Sequence, residues 1–174
     1  MTIELIGLEN IPIVDDNDDI SKIVKEAIDK QGCLINHGDI ILIAETLISK
    51  AEGNFIELDG LTPSDEAFEL AEKANKDPKL VEAIIQQSNE IVEVGPSFII
   101  TETKQGFVCA NAGIDESNVG EGLATPMPVN ADKSAFEIRE YLENEFGERI
   151  EDMVLVTENG IINLTESPKE LIIL

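Results

Sequence analysis

A chain of 174 residues, 43% of them apolar, can bury one core without disulfide support and is read as a single domain over 1–174. Its 36 acidic residues against 12 basic ones leave a net charge of -24, a field that repels nucleic acid and anionic membrane surfaces and excludes both as expected partners. The opening MTIELIGLENIPIV has no basic flank and no long apolar run, so no signal peptide or spanning helix is expected, and the expected location is cytoplasmic.

In chain order, the acidic run Asp15-Asp16-Asn17-Asp18-Asp19 precedes apolar residues at Ile20, Ile23, Val24, Ala27 and Ile28. That spacing predicts a helix with acids at its N-terminus, and the glycine and final glutamate of an EF-hand are absent. Gly38-Asp39 leads into Ile40 to Ala44, a continuous apolar run that predicts a buried strand. Another strand is expected over Asn54 to Leu58. Thr62-Pro63-Ser64 opens a helix to about Ala74, and Asp77-Pro78 opens a second to about Gln87, with aspartate as cap and proline in the first turn. Ile91 to Val94, Ser97 to Thr101 and Gly106 to Ala110 predict a meander turning at Lys104-Gln105-Gly106.

Ser134-x-x-Glu137 has the form of a capping box for a helix carrying Phe136, Tyr141, Leu142 and Phe146. Met153 to Val156 and Ile161 to Leu164 flank Asn159-Gly160, a two-residue hairpin signal, and Leu171 to Leu174 suits a last short strand. Interleaved helices with hairpin-linked strands predict an α+β fold with a mixed sheet and packed helices. Cys33 and Cys109 lie far apart and read as small apolar residues in a reducing compartment, and His37, the single histidine, reads as structural.

Three stretches can carry chemistry. Ile48 to Gly53 puts Lys50 just past a strand, where its ammonium either reaches a cleft or stays in solvent beside a glycine turn. Cys109 to Val119 offers Asp115 and Asn118 as hard oxygen donors suited to magnesium or manganese, or else forms an Asx-rich loop. Gly120 to Pro128 reads as a mobile connector, either a lid or an ordinary loop. A domain this acidic holds a polyphosphate only where cations bridge phosphate to carboxylate, so any nucleotide site should depend on metal.

Taken together, Gly7 to Val14, Gly38 to Leu42, Ser49-Lys50-Ala51-Glu52-Gly53, Thr62-Pro63-Ser64 and Gly106 to Val119 stand in an order and spacing that resembles the coenzyme F420-0:L-glutamate (gamma-glutamyl) ligases. The resemblance covers about residues 3–147, with 148–174 divergent, as in a C-terminally truncated relative. It implies GTP as co-substrate, Mg2+ or Mn2+, L-glutamate and a deazaflavin acceptor, and a homodimer. It also implies site roles: Ile11, Pro12, Ile13 and Val14 along the nucleotide through backbone groups, Thr46 and Lys50 at the phosphates, Asn118 at the nucleotide, and Asp115 at metal.

The family's second metal-binding aspartate falls on Thr157 when Asn159-Gly160 sets the register. Glu158 stands one residue away as the other metal candidate, and Ile161 replaces a basic residue. A one-residue shift along a strand points a side chain to the opposite face. Two readings follow: a ligase, or a non-catalytic nucleotide- and metal-binding relative or subunit that needs a partner chain for the missing C-terminal segment.

Overall fold

A computed structural model describes residues 4–147, 150, 152–157 and 160–163, those from 152 onward as backbone alone. α1 (Ile20–Gln31) begins where the Asp19 carboxylate accepts the Lys22 N–H at 3.2 Å and ends at left-handed Gly32. β1 (Ile40–Ala44) runs straight into α2 (Glu45–Ala51), followed by the two-residue β2 (Ile56–Glu57) and a 3-10 turn at Leu58–Gly60. α3 (Asp65–Ala74) is capped by Ser64, and α4 (Pro78–Gln86) by Asp77 with proline in its first turn.

The meander β3 (Ser88–Gly95), β4 (Phe98–Thr103) and β5 (Val108–Ala110) leads into a second 3-10 turn at Asn111–Gly113. Then come β6 (Leu123–Ala124), α5 (Ala131–Phe146), β7 (Asp152–Thr157) and β8 (Gly160–Asn163). β1 pairs parallel with β7, and β7 pairs antiparallel with β8, which makes a mixed sheet in an α+β fold. Thr157 pairs with Gly160, so β7 and β8 form the expected hairpin but with Gly160 inside β8 and not in the turn; Glu158 and Asn159 lie outside the described residues.

Two cores form. Val14, Ile28, Ile43, Ile48, Leu142 and Ile150 pack where α1, α2 and α5 meet the mixed sheet. Leu70, Val81, Ile84 and Ile99 pack between the α3–α4 pair and the meander. A small cluster of Leu58, Ala83 and Ala124 lies where β2 pairs with β6.

The structure corrects four expectations. α5 starts at Ala131 under Asn130, whose Oδ1 accepts the Lys133 N–H at 3.0 Å, so Ser134 to Glu137 is not its cap. Ser134 instead sits inside the helix and donates its hydroxyl to the Asn130 carbonyl and to Glu52. β1 alternates in burial, with Ile40 and Leu42 exposed, because a sheet edge covered on one face needs apolar residues only at every second position. The strand expected over Asn54 to Leu58 shrinks to two residues, since Leu58 already belongs to a turn. The connector Gly120 to Pro128 is not a mobile loop: Ala124, Thr125, Pro126, Met127 and Pro128 are buried. The expected strand at Leu171 to Leu174 lies outside the described residues.

Candidate functional site

β1 and β7 end side by side, Ala44 opposite Val156, and Ala44 is already the residue before α2. Carboxyl ends of parallel strands are where open sheets place ligands. On α2, Thr46 and Lys50 stand four positions apart and so share one helix face. The C-terminal half of α2 is fixed from inside: fully buried Ser49 donates its hydroxyl to the Pro126 carbonyl at 2.7 Å. Just past the helix, the Asn54 side-chain amide donates to the Met127 carbonyl at 2.9 Å.

Next to Pro126, Thr125 exchanges two backbone hydrogen bonds with Asp115, at 3.0 and 2.8 Å, and its hydroxyl donates to the Asp115 carbonyl at 3.1 Å. The helix, the connector and the Asp115 loop are therefore tied to one another.

The Asp115 carboxylate is held from its own loop. Its Oδ1 accepts the Ser117 backbone N–H at 2.8 Å and the Ser117 hydroxyl at 2.6 Å. Its Oδ2 accepts the Asn118 side-chain amide at 3.2 Å, and the same amide donates to Ser117 Oγ at 3.0 Å. Burial pushes this acid upward, but the Ser117 and Asn118 donors together with the nearby Lys50 charge outweigh it, and the carboxyl lies below its ordinary value. Asp115 is thus ionised at neutral pH, with the Lys50 charge the least of the influences that lower it.

Upstream of Asp115 the backbone is left-handed at Asn111, Ala112 and Gly113 in succession. Asn111 is anchored by accepting the Ile99 N–H at 3.2 Å, and a Cβ on Gly113 would stand 2.7 Å from Met127 Cγ. Glycine is required at that position by both its φ and its neighbour.

The Asp16-Asn17 stretch that follows Ile11 to Val14 reaches the end of α2. Asn17 donates its N–H to the Ala51 carbonyl at 3.0 Å, and the Asp16 carboxylate fills the space a side chain at Gly53 would need. Val14 is buried in the same cluster as Ile48, Ile11 is half-buried, and Pro12 and Ile13 are exposed. The structure therefore ties the helix of Lys50 to the loop of Asp115 and Asn118 through Ser49 and Pro126, keeps Thr46 on the Lys50 face of α2, and buries Val14 in the same cluster as Ile48.

Glu158 lies outside the described residues, while the Thr157 backbone ends β7 one residue past the partner of Ala44. Two residues went unremarked as site residues in the sequence. Ser117 clamps Asp115, and the Asp-x-Ser spacing was the available signal. Glu45, buried at the start of α2, lies with Oε1 3.8 Å from the Cβ position of Gly113 and helps burial to push the Cys109 thiol up.

Among the described residues no three histidine, cysteine, aspartate or glutamate side chains gather into a metal-binding group. The donor chemistry at Asp115 fits a magnesium-type ion, which takes one or two carboxylates and completes its shell with water and substrate phosphates.

A family model described as F420-0:Gamma-glutamyl ligase matches residues 9–167. The coenzyme F420:L-glutamate ligase of Methanothermobacter thermautotrophicus is 50% identical over 158 residues, covering 91% of this chain and 63% of the relative. That of Methanocaldococcus jannaschii is 51% identical over 148 residues, covering 85% of this chain and 57% of the relative. That of Methanococcus maripaludis strain C6 is 48% identical over 147 residues, covering 84% and 57%. The chain thus spans 57% to 63% of the length of these curated relatives. The class of protein that this match defines is the glutamate ligases. The chain belongs to the F420-0:gamma-glutamyl ligase family.

Proposed function

We propose that the chain joins L-glutamate to the carboxylate of the deazaflavin coenzyme precursor F420-0, using GTP and a divalent cation, Mg2+ or Mn2+. One observation carries the reading: Ser49, beside Lys50 on α2, donates to the Pro126 carbonyl, and the adjoining Thr125 is laddered to Asp115, so the helix of the lysine is tied to the loop of the carboxylate although the two are far apart in sequence. In a chain of net charge -24, a triphosphate needs such a local cation.

A carboxylate does not react with an amine at neutral pH. Transfer of the terminal phosphoryl group of GTP to the acceptor carboxylate gives an acyl phosphate and GDP. The glutamate amine then attacks the acyl carbon, losing a proton as the amide forms and phosphate leaves. Lys50 offers a compact positive charge to phosphate oxygens, with Thr46 on the same helix face. Backbone groups of Ile11, Pro12, Ile13 and Val14 line the nucleotide, and Asn118 contacts it. Asp115, held ionised, receives the cation, which when bound neutralises charge on the transferring group.

Incubation of the purified protein with GTP, Mn2+, glutamate and F420-0 tests this. GDP and a glutamylated coenzyme are expected. GDP no higher than in a mixture without acceptor overturns the reading.

A second reading is favoured by Thr157, which stands where the resemblance implies a metal-binding aspartate. It makes the chain a binding module or a subunit completed by another chain, and predicts cation-dependent GTP binding without turnover until that chain is added. A homodimer belongs to the first reading, and sedimentation at equilibrium checks it. Among the described residues no helix is long and apolar enough to cross a membrane.

A further inference from the structure

We propose that Ser117 sets which cation the Asp115 loop accepts, by occupying one carboxylate oxygen and leaving the other to the metal. The inference rests on the functional reading above, since it takes Asp115 as the metal-binding carboxylate. A carboxylate oxygen has two in-plane lone pairs. On Oδ1 both are taken, one by the Ser117 N–H at 2.8 Å and one by its hydroxyl at 2.6 Å. On Oδ2 there is a single donor, the Asn118 amide, at a longer 3.2 Å. Asp115 can therefore offer a cation Oδ2 alone, and bidentate coordination would require breaking the Ser117 clamp.

That restriction separates cations. Calcium takes six to eight oxygens and often uses a carboxylate through both, whereas magnesium demands six ligands in near-ideal octahedral geometry. The narrow bite of a bidentate carboxylate does not fit an octahedron. A one-oxygen ligand thus suits Mg2+ and Mn2+ and denies calcium one of its usual contacts. The clamp is also rigid. Ser117 Oγ donates to Oδ1 while accepting from Asn118, which itself bonds Oδ2, so Asp115, Ser117 and Asn118 form a closed triangle. The backbone of Asp115 is pinned by its two bonds to Thr125, and the Ser117 and Asn118 donors hold the carboxylate itself against rotation.

The test is a binding titration of the full chain with GTP present, in about 0.5 M KCl to screen the acidic surface. Free Mn2+ is followed by electron paramagnetic resonance, and Ca2+ is then added to displace it. Asp115→Asn supplies the background from other carboxylates. In the unaltered protein Mn2+ should exceed that background and resist displacement. Ser117→Ala, which keeps the N–H and loses the hydroxyl, should lower the preference for Mn2+ over Ca2+ about fivefold or more through tighter calcium binding. Ser117→Thr, which restores a hydroxyl, should recover most of it.

An unchanged ratio of the two affinities in Ser117→Ala, with Mn2+ still bound above background, overturns the selectivity role while the ligase reading stands. Mn2+ binding that never exceeds the Asp115→Asn background overturns both.

Discussion

Ser49, fully buried on α2, donates its hydroxyl to the Pro126 carbonyl at 2.7 Å across 77 positions of sequence. The bond joins the helix that carries Lys50 to the connector, in which the residue before Pro126, Thr125, is laddered to Asp115. Neither charged residue is held by the other. Both backbones are placed by neutral groups, which leaves the Lys50 ammonium and, on Asp115, Oδ2 for a ligand.

Ser49→Ala should therefore act twice. It strands the Pro126 carbonyl in a buried setting, which costs about 1–3 kcal/mol, read as a lower denaturant midpoint. It also loosens the tie between Lys50 and Asp115, so the dissociation constant for GTP measured with Mn2+ should rise. A midpoint within error of the unaltered protein would show that the bond is not holding the helix to the connector.

Gly113→Ala forces alanine to φ +69 and places its Cβ 2.7 Å from Met127 Cγ. Left-handed backbone costs a non-glycine residue roughly 1–2 kcal/mol before any clash is counted. Combining it with Met127→Ala separates the two effects. The double variant should be destabilised by less than the sum of the single variants, because the methionine tip is no longer in the way. Strict additivity in chemical denaturation would mean that the clash relaxes without cost.

Glu82 provides an acid-sensitive tie between α3 and α4. Its Oε2 accepts the Ser64 N–H at 2.9 Å and the Ser64 hydroxyl at 2.8 Å, and Gln86 donates to the other oxygen at 3.1 Å. The two Ser64 bonds, backbone first, with help from Gln86, hold the Glu82 carboxyl below the ordinary value of 4.5. A carboxyl with a depressed folded value stabilises the protein fully above its unfolded value, and loses that contribution as the pH falls through the folded one. The unaltered protein should lose stability faster than Glu82→Gln as the pH drops below 4.5, while their difference stays constant from pH 6 to 8. Denaturant midpoints across that range decide it, and parallel curves below pH 4.5 would remove Glu82 from the account.

What could be read in the sequence was local. Ser64 and Asp77-Pro78 are caps that act within their own first turn, so these helices stand where their residues put them. Asn130 and Ser134 are both acceptable caps four residues apart, and only the packing of α5 decides between them. The run Ile40 to Ala44 looks buried on both faces because sequence shows side-chain type and not how many layers cover a strand. The connector looked mobile because its anchors, Ser49 and Asn54, lie more than seventy residues upstream. The candidate site divides in the same way. Asp115, Ser117 and Asn118 form a short motif, whereas the approach of Lys50 to them depends on tertiary structure and was suggested only by family resemblance.

The sharpest test of the site is a double-mutant cycle on Lys50 and Asp115. Lys50→Met removes the charge and keeps the apolar stem, and Asp115→Asn removes the charge and keeps the shape. Each should weaken GTP binding in the presence of Mn2+ by about tenfold or more, a loss of about 1.4 kcal/mol. If both residues serve one bound phosphate group, the second substitution has little left to remove, and the double variant should lose much less than the product of the single losses. Calorimetry at two salt concentrations adds a check, since pairs of charges in a shared site lose less to screening than charges on separate exposed surfaces. Losses that multiply in the double variant would place Lys50 and Asp115 in independent roles, and the proposed nucleotide site between α2 and the Asp115 loop would have to be abandoned.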